Sequence, residues 1–527
     1  MVVNLIIAGL LTALGVRLPS RPLQLGYVAV VLVVEPRWDT YYLVALVWSV
    51  VLVLRAERLR GGVLTALGCW LAVLGLVKFT WLLLATFAWL LLIAGCWRGR
   101  RFEAILGYPL AVAAIWLALG QAPRHFVPYL SASWQIATGY GEAMAANVNV
   151  SLLPVYLGLG VLLLLAILSV RWLRTTGRQV RPIAGFVLIG VCVLLSWKHG
   201  FTRQDSHVIL FFNFLALVPF AGAALAWTGT SPKAVELGLL AVIVGGALAG
   251  RGSVPSENWF LRLAVGTRDL VTPQAMRQRC QQGYDAIAAD CALPRLNALI
   301  GTETVDQLSC DQGVVLLNRW NYRPRPVFQS YSAYTPRLLA DNAAFFRSDR
   351  APRFLLWKLQ PLDQRVPTSE DGPALLEILR RYHPVAEEGD FLLLERRATT
   401  TATGARAIVW EGDVGFGEEV RIEGLPGEAH IVTIRIVDTT RGKWTKLFFR
   451  PPELFLRVRT ADEKAFRYRL IPALASAGFL LDPLLRDETD VQRWYRGASV
   501  RRVVSFAVHG SPAAQACYGE SMHVVVE

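Results

Sequence analysis

The sequence predicts a polytopic α-helical membrane domain of about ten spans (residues 1–250). An extracytoplasmic α/β domain (251–398) and a C-terminal antiparallel β-sandwich (399–527) follow it. Three observations predict this. Hydrophobic residues make up 54% of the chain and charged residues 18%, and the mean hydropathy is +0.40, too apolar for an ordinary soluble enzyme. The apolarity is uneven: residues 1–250 are almost continuously apolar, whereas 251–527 have the mixed composition of a globular chain. Finally, arginines follow apolar runs, as Arg55, Arg58 and Arg60, then Arg98, Arg100 and Arg101, then Arg171, Arg174, Arg178 and Arg181. Short Arg-rich loops mark the cytoplasmic side of a membrane protein. The net charge of +14 is therefore read as topology, and nucleic acid is excluded as a partner.

A span takes about 20 apolar residues. The candidates are 2–18, 23–35, 41–55, 62–78, 80–97, 104–120, 151–170, 182–197, 208–227 and 234–250. Lys78 falls inside the apolar stretch 62–97, which reads as a tight helical hairpin turning at Lys78. With the Arg-rich loops inside, loops 35–40, 78–80, 120–150 and 198–207 and all of 251–527 lie outside. The alternation puts the N-terminus outside. Either Met1 is an N-out start or a span precedes it. No cleaved targeting segment is visible.

In the polar half, VVLL (314–317), FLLW (354–357) and FLLLE (391–395) suit buried strands, with helices expected over 335–347 and 371–382. Beyond TTTATG (399–404), IVTIRI (431–436), LFLRVR (454–459), FRYRLI (466–471) and VVSFAV (503–508) alternate or are β-branched and predict antiparallel strands. ALASAGFLLDPLL (473–485) reads as a helix or covering loop. Cys280, Cys291, Cys310 and Cys517 match no zinc spacing. A Cys280–Cys291 bridge and unpaired structural cysteines both remain open.

The segment SWKHGFTRQDSHVILFF (196–212) places Lys198, His199, Arg203, Asp205 and His207 between two apolar runs. A charge at mid-bilayer costs about 2.5–3.5 kcal/mol, so the segment is a loop at the outer surface. Two cations, a carboxylate and two imidazoles can bind a phosphate and move a proton; a solvated turn is the plain alternative. In the long loop 121–150, Phe126, Tyr129, Trp134 and Tyr140 suit an interfacial helix, and Glu142 is the one carboxylate. EPRWDT (35–40) adds Glu35 and Asp39, and Lys78 faces the same side. In NYRPRPVFQSYSAYTP (321–336), Tyr322, Tyr331, Tyr334, Arg323 and Arg325 suit either carbohydrate stacking or loop packing.

This plan resembles the GT-C-type membrane glycosyltransferases: many spans, outer loops with acidic residues, a long interfacial helix loop and an extracytoplasmic C-terminal domain. KHGFTRQDSH, GYGEAM (139–144) and RPRPVFQSY (323–331) also look like a family of bacterial multi-pass membrane proteins, from which no activity is carried over. The GT-C resemblance implies sugar transfer from a polyprenyl-phosphate donor to a glycan or lipid acceptor. The reaction would take place at the outer face of a bacterial cytoplasmic (inner) membrane, without cofactor or metal. On that reading Asp205 or Glu142 deprotonates the acceptor and His207 assists. Lys198 and Arg203 meet the departing lipid phosphate, and His199, Lys78 and Asp39 bind substrate. In that family a key acidic residue lies in the first outer loop, which here would precede Met1, so Asp39 belongs to the next one. A non-catalytic glycan-binding or envelope-assembly protein is the alternative. A transporter would need ionisable residues within its spans, and beyond Lys78 there are almost none.

Overall fold

The computed structural model describes residues 2–18, 20–33, 38–56, 60–96, 102–146, 152–176, 179–205, 207–226, 265, 268–269, 271–399 and 406–527. The expected span 234–250 lies outside them, as does Glu35. The chain divides into two compact units. The first holds Met1–Ser133 and Ala146–Phe260, and the second holds Trp134–Ala145 and Leu261–Glu527.

The first unit is all-helical: α1 (Val2–Gly15), α2 (Arg21–Val33), α3 (Trp38–Arg55), α4 (Gly61–Val77), α5 (Phe79–Cys96), α6 (Phe102–Ala118), α7 (Phe126–Ala143, whose end belongs to the second unit), α8 (Leu153–Thr176), α9 (Val180–Thr202) and α10 (His207–Ala226). The expectation of about ten spans is overturned. Among the described residues three helices are long and apolar enough to cross a membrane: Leu153–Arg171, Val180–Thr202 and His207–Leu225. A fourth is added if Ile105–Ala118 and Pro123–Ala143, bent by 110° at their break, act as one broken span. The reason is length. At about 1.5 Å per residue, the 14 residues of α1 and the 17 of α4 fall short of a hydrocarbon layer about 30 Å thick. Lys78, with extended φ/ψ of −153° and 139°, ends α4 and splits an otherwise continuous apolar run.

Helix α10 packs against α2, α3, α8 and α9. Of its apolar window 89% is buried, against 28% for α8, so α10 is enclosed by protein and α8 keeps a broad open apolar face. Antiparallel α9 and α10 have two distinct ends. At one, Arg55 Nη1 donates to Ala224 O (2.6 Å) and Arg181 Nη1 to Ala56 O (3.1 Å), satisfying carbonyls left over at helix C-termini. The other end carries the loop 203–205.

Besides the end of α7, the second unit holds α11 (Pro273–Asp290) and α12 (Pro294–Ile300). A mixed five-stranded sheet of order β2-β1-β3-β5-β4 follows, built from β1 (Thr304–Gln307), β2 (Asn321–Tyr322), β3 (Phe354–Trp357), β4 (Tyr382–Glu388) and β5 (Phe391–Arg396). It is interleaved with α13 (Gln312–Leu317), α14 (Pro336–Arg347) and α15 (Gly372–Arg381). Strand side chains alternate between faces. Phe354, Leu356 and Leu393 join one core with Leu296, Val314 and Val315, while Leu355, Trp357, Leu392 and Leu394 join another with Phe346, Leu375 and Ile378. Burial on both faces explains the unbroken apolar runs FLLW and FLLLE. VVLL, expected as a strand, is the helix α13: Val314 and Val315 are buried while Leu316 is exposed.

The C-terminal region is β-rich, with two four-stranded antiparallel sheets of order β10-β9-β12-β7 and β11-β8-β13-β6. The strands are β6 (Trp410–Gly415), β7 (Val420–Arg421), β8 (His430–Arg435), β9 (Leu454–Thr460), β10 (Ala465–Leu470), β11 (Phe479–Asp482), β12 (Val503–Gly510) and β13 (Ser521–Val526). Between them lie α16 (Thr440–Phe448), α17 (Pro472–Ala475), α18 (Glu488–Tyr495) and α19 (Pro512–Cys517). Leu454, Leu456 and Val458 of β9 face one shared core with Val432, Ile434, Met522, Val524 and Val526, whereas Arg457 and Arg459 point to solvent. Each such fully buried side chain contributes about 1.5–3 kcal/mol. Residues 473–485, read as a helix or covering loop, supply the fully buried strand β11. Cys280 and Cys291 are both free, so the bridge considered between them is not formed.

Candidate functional site

The loop joining α9 to α10 is held by main-chain bonds: Ala146 N donates to Thr202 O and Gln204 N to Ala146 O, each 3.1 Å. This fixes Arg203, which ends α9 in an extended conformation. Asp205 then starts α10 in the manner of a helix N-cap, its Oδ1 accepting from His207 N at 2.9 Å. The same carboxylate lies 2.5 Å from His207 Nδ1 and accepts from Arg203 Nε at 3.1 Å. Partial burial pushes the Asp205 carboxyl up, but the side-chain and main-chain donors of His207, with Arg203, outweigh it. They hold Asp205 well below the usual carboxylate range. An ionised carboxylate can only accept, so Nδ1 of His207 carries a proton. Among the described residues Nε2 of His207 has no partner.

The His199 ring, in the last turn of α9, lies 5.4 Å from that of His207. Asp39, Lys78, Asp205 and His207 are all within electrostatic reach of His199. Asp39 sits in the first turn of α3 and Lys78 at the α4–α5 break; Lys78 Nζ is 3.4 Å from Asp39 Oδ1. Both are solvent-accessible, so the pair contributes at most about 1 kcal/mol and a ligand can displace it. Asp39, Thr40, Lys78, Thr80, Ser196 and His199 line a cavity of about 80 Å³, with Trp81, Leu84 and Phe214 among its apolar walls. Thr40 Oγ1 and His199 Nε2 are buried there without hydrogen-bond partners among the described residues. Two unpaired polar atoms in one cavity mark a place for water or a ligand. Its volume holds roughly two or three waters, enough for a group the size of a phosphate and too small to enclose a sugar.

Seven of the eight residues singled out from sequence lie on these helix ends or the joining loop: Asp39, Lys78, Lys198, His199, Arg203, Asp205 and His207. Asp39, Lys78 and His199 share the cavity. Lys198 precedes His199, its carbonyl accepting from Thr202 Oγ1 at 2.6 Å. Glu142 belongs to the second unit, in ion-pair reach of Lys446 at 3.3 Å. Thr40, Thr80 and Ser196 escaped the sequence reading, because hydroxyls in apolar runs are common and usually bond their own helix; only the orphaned Thr40 oxygen distinguishes them. Among the described residues no group of three or more His, Cys, Asp or Glu is arranged to hold a metal ion.

The Tyr/Arg-rich segment 321–336 is structural at its centre. Arg325 is fully buried, donating to Asp306 Oδ2 (2.9 Å), Asp371 Oδ2 (3.0 Å), Gln307 O (2.6 Å) and Ser330 Oγ (2.7 Å), and Tyr334 is buried against Tyr140. No family model, curated protein or solved structure matches the chain.

Proposed function

We propose that the chain is a membrane-integral glycosyltransferase that moves a sugar from a polyprenyl-phosphate donor to an envelope glycan or lipid acceptor. The observation that carries this reading is the Asp205–His207 pair beside a phosphate-sized cavity with a lysine at its rim. Nε2 of His207 takes the proton of the acceptor hydroxyl. The acceptor oxygen bonds to the sugar's anomeric carbon, and the bond from that carbon to the phosphate oxygen breaks. The lipid phosphate leaves with the electron pair, met by Lys78 and by hydrogen bonds from Thr40 and His199. Stabilising charge at a developing oxyanion is usually the larger contribution to such catalysis; a positioned base adds about 10²–10⁴-fold. Asp205 orients the imidazole. Bound to three donors and held ionised, it is a poor base itself.

The arginine end of α9 and α10 supports the orientation. Arg55 and Arg181 gather at the end opposite the site, and arginines favour the cytoplasmic side. The reading takes the site to the outer face of a bacterial inner membrane, and residues 251–527 to the same side. The test is transfer from a radiolabelled polyprenyl-phosphate hexose to envelope extract by the full chain in lipid nanodiscs. Transfer that His207→Gln reduces at least a hundredfold is expected. No transfer by the unaltered protein, or full transfer by His207→Gln, overturns the reading.

A further inference from the structure

Strands β7, β9, β10 and β12 form one sheet of the C-terminal region, with β10 and β7 at its edges. Side chains alternate between the two faces of a strand. Leu454, Leu456 and Val458 of β9 face the core, so Phe455, Arg457 and Arg459 take the other face. The register carries that face across the sheet. Arg457 stands opposite Arg467 of β10 and Ala507 of β12. Arg459 stands opposite Ser505 of β12, which in turn stands opposite Arg421 of β7. Arg421, Arg457, Arg459 and Arg467 are all exposed, and the four strands contain no Asp or Glu.

Side chains directly opposite on an antiparallel pair lie about 5 Å apart at Cβ, and like charges there are destabilising. Arg457 and Arg467 occupy such a position, and neither makes an ion pair among the described residues. The Arg467 guanidinium lies 3.5 Å from the centre of the Phe455 ring, a cation–π contact that fixes it on the sheet surface. Arg459 shares its charge with Glu419 at 3.2 Å; Glu419 and Glu423 bracket β7. Farther along β10, Arg469 is buried and pairs with Asp363, so the exposed track ends there. Arginines gathered at a cost in stability, with too few carboxylates to neutralise them, suit a polyanion.

We infer that this sheet face binds a linear acidic polysaccharide, with Arg457 and Arg467 on its carboxylates and Arg421 and Arg459 extending the track. Guanidinium groups hold planar carboxylates through two parallel N–H donors. Phosphates would come on nucleic acid or on lipid, and the face suits neither. Single-stranded nucleic acid stacks its bases on open aromatic rings. Here Phe455 lies under Arg467, while Phe466 and Tyr468 pack against the core. A lipid surface takes large apolar side chains projecting beside the cations, and no such side chain on this face is exposed. The whole face belongs to one compact unit, and its binding does not depend on the proposed transfer.

The test titrates fluorescein-labelled polygalacturonate with the full chain in nanodiscs of zwitterionic lipid and reads anisotropy. Binding is expected, weakening several-fold as salt rises, with none to neutral dextran. Arg457→Gln combined with Arg467→Gln is expected to weaken it at least about tenfold. The melting temperature should not fall, because the opposed pair is repulsive. Arg435→Gln, at an exposed arginine of β8 in the other sheet, should change binding less than about twofold. No binding by the unaltered chain, full binding by the double variant, an equal loss in Arg435→Gln, or tighter binding of single- or double-stranded DNA overturns the inference. So does pairing of discs through this face by a second copy that polygalacturonate fails to displace.

Discussion

Asp205 Oδ1 and His207 Nδ1 lie 2.5 Å apart across the first turn of α10, and the same carboxylate accepts the His207 main-chain N–H at 2.9 Å. One side chain thus starts the helix and aims the imidazole. Asp205→Asn retains the helix start, since Asn also caps, but loses the charge that selects the tautomer. Transfer is expected to fall about 10²–10⁴-fold, with unchanged helical content by circular dichroism. Unchanged transfer would leave the pair purely structural.

The carboxyl of Asp205 is depressed in the folded chain. A depressed carboxylate contributes stability above its unfolded value, about 3.9, and loses it only as pH falls through the lower folded value. The Asp205 carboxylate is therefore expected to stay ionised at pH 4.5. Infrared difference spectra of the protein against Asp205→Asn should show the carboxylate band persisting there, and a protonated band at that pH would contradict the geometry.

Thr40→Val removes a buried hydroxyl that has no hydrogen-bond partner among the described residues. The substitution is expected to leave the melting temperature unchanged or slightly raised, because an unsatisfied polar group is costly. Binding of polyprenyl phosphate should weaken about tenfold, the worth of one hydrogen bond to a charged group. Lys78→Met should weaken it further, and more so at low salt. Thermophoresis in nanodiscs reads both.

Arg325 is sandwiched between the buried carboxylates of Asp306 and Asp371. Removing one partner of a buried ionic network strands the others, at a cost of about 3–5 kcal/mol. Arg325→Met is expected to leave the first unit protease-resistant in detergent while the second unit is digested. Resistance of both would show that the network contributes little.

Burial raises the Glu370 carboxyl to about 7 against the pull of Arg365, and Asp371 to about 6 against Arg325. A raised carboxyl contributes stability below its unfolded value that is lost as pH rises through the folded one. Thermal stability of the second unit should therefore decline from about pH 4.5 to 7. Glu370→Gln should flatten that decline, and melts at half-unit pH steps would show an unchanged slope if the group titrates normally.

The sequence by itself determined the division into an apolar half and a globular half, the Arg-rich ends, and the loop 198–207 as a place where charge gathers. Composition and alternation are local properties, and residues 196–212 carry theirs in one stretch. The strands of FLLW and FLLLE were legible because short apolar runs between turns suit a sheet buried on both faces. VVLL failed for the same reason, since periodicity in four residues cannot separate a strand from one turn of a buried helix. Only the tertiary structure decided how many helices can cross a membrane, because hydropathy averages over breaks such as Lys78 that cut apolar runs below a bilayer's thickness. It alone brought Asp39, Lys78 and His199 into one cavity, from places far apart in the chain. It also turned Arg325 from a candidate sugar contact into a buried structural cation. Proximity between distant residues is set by helix packing, which no window of sequence records.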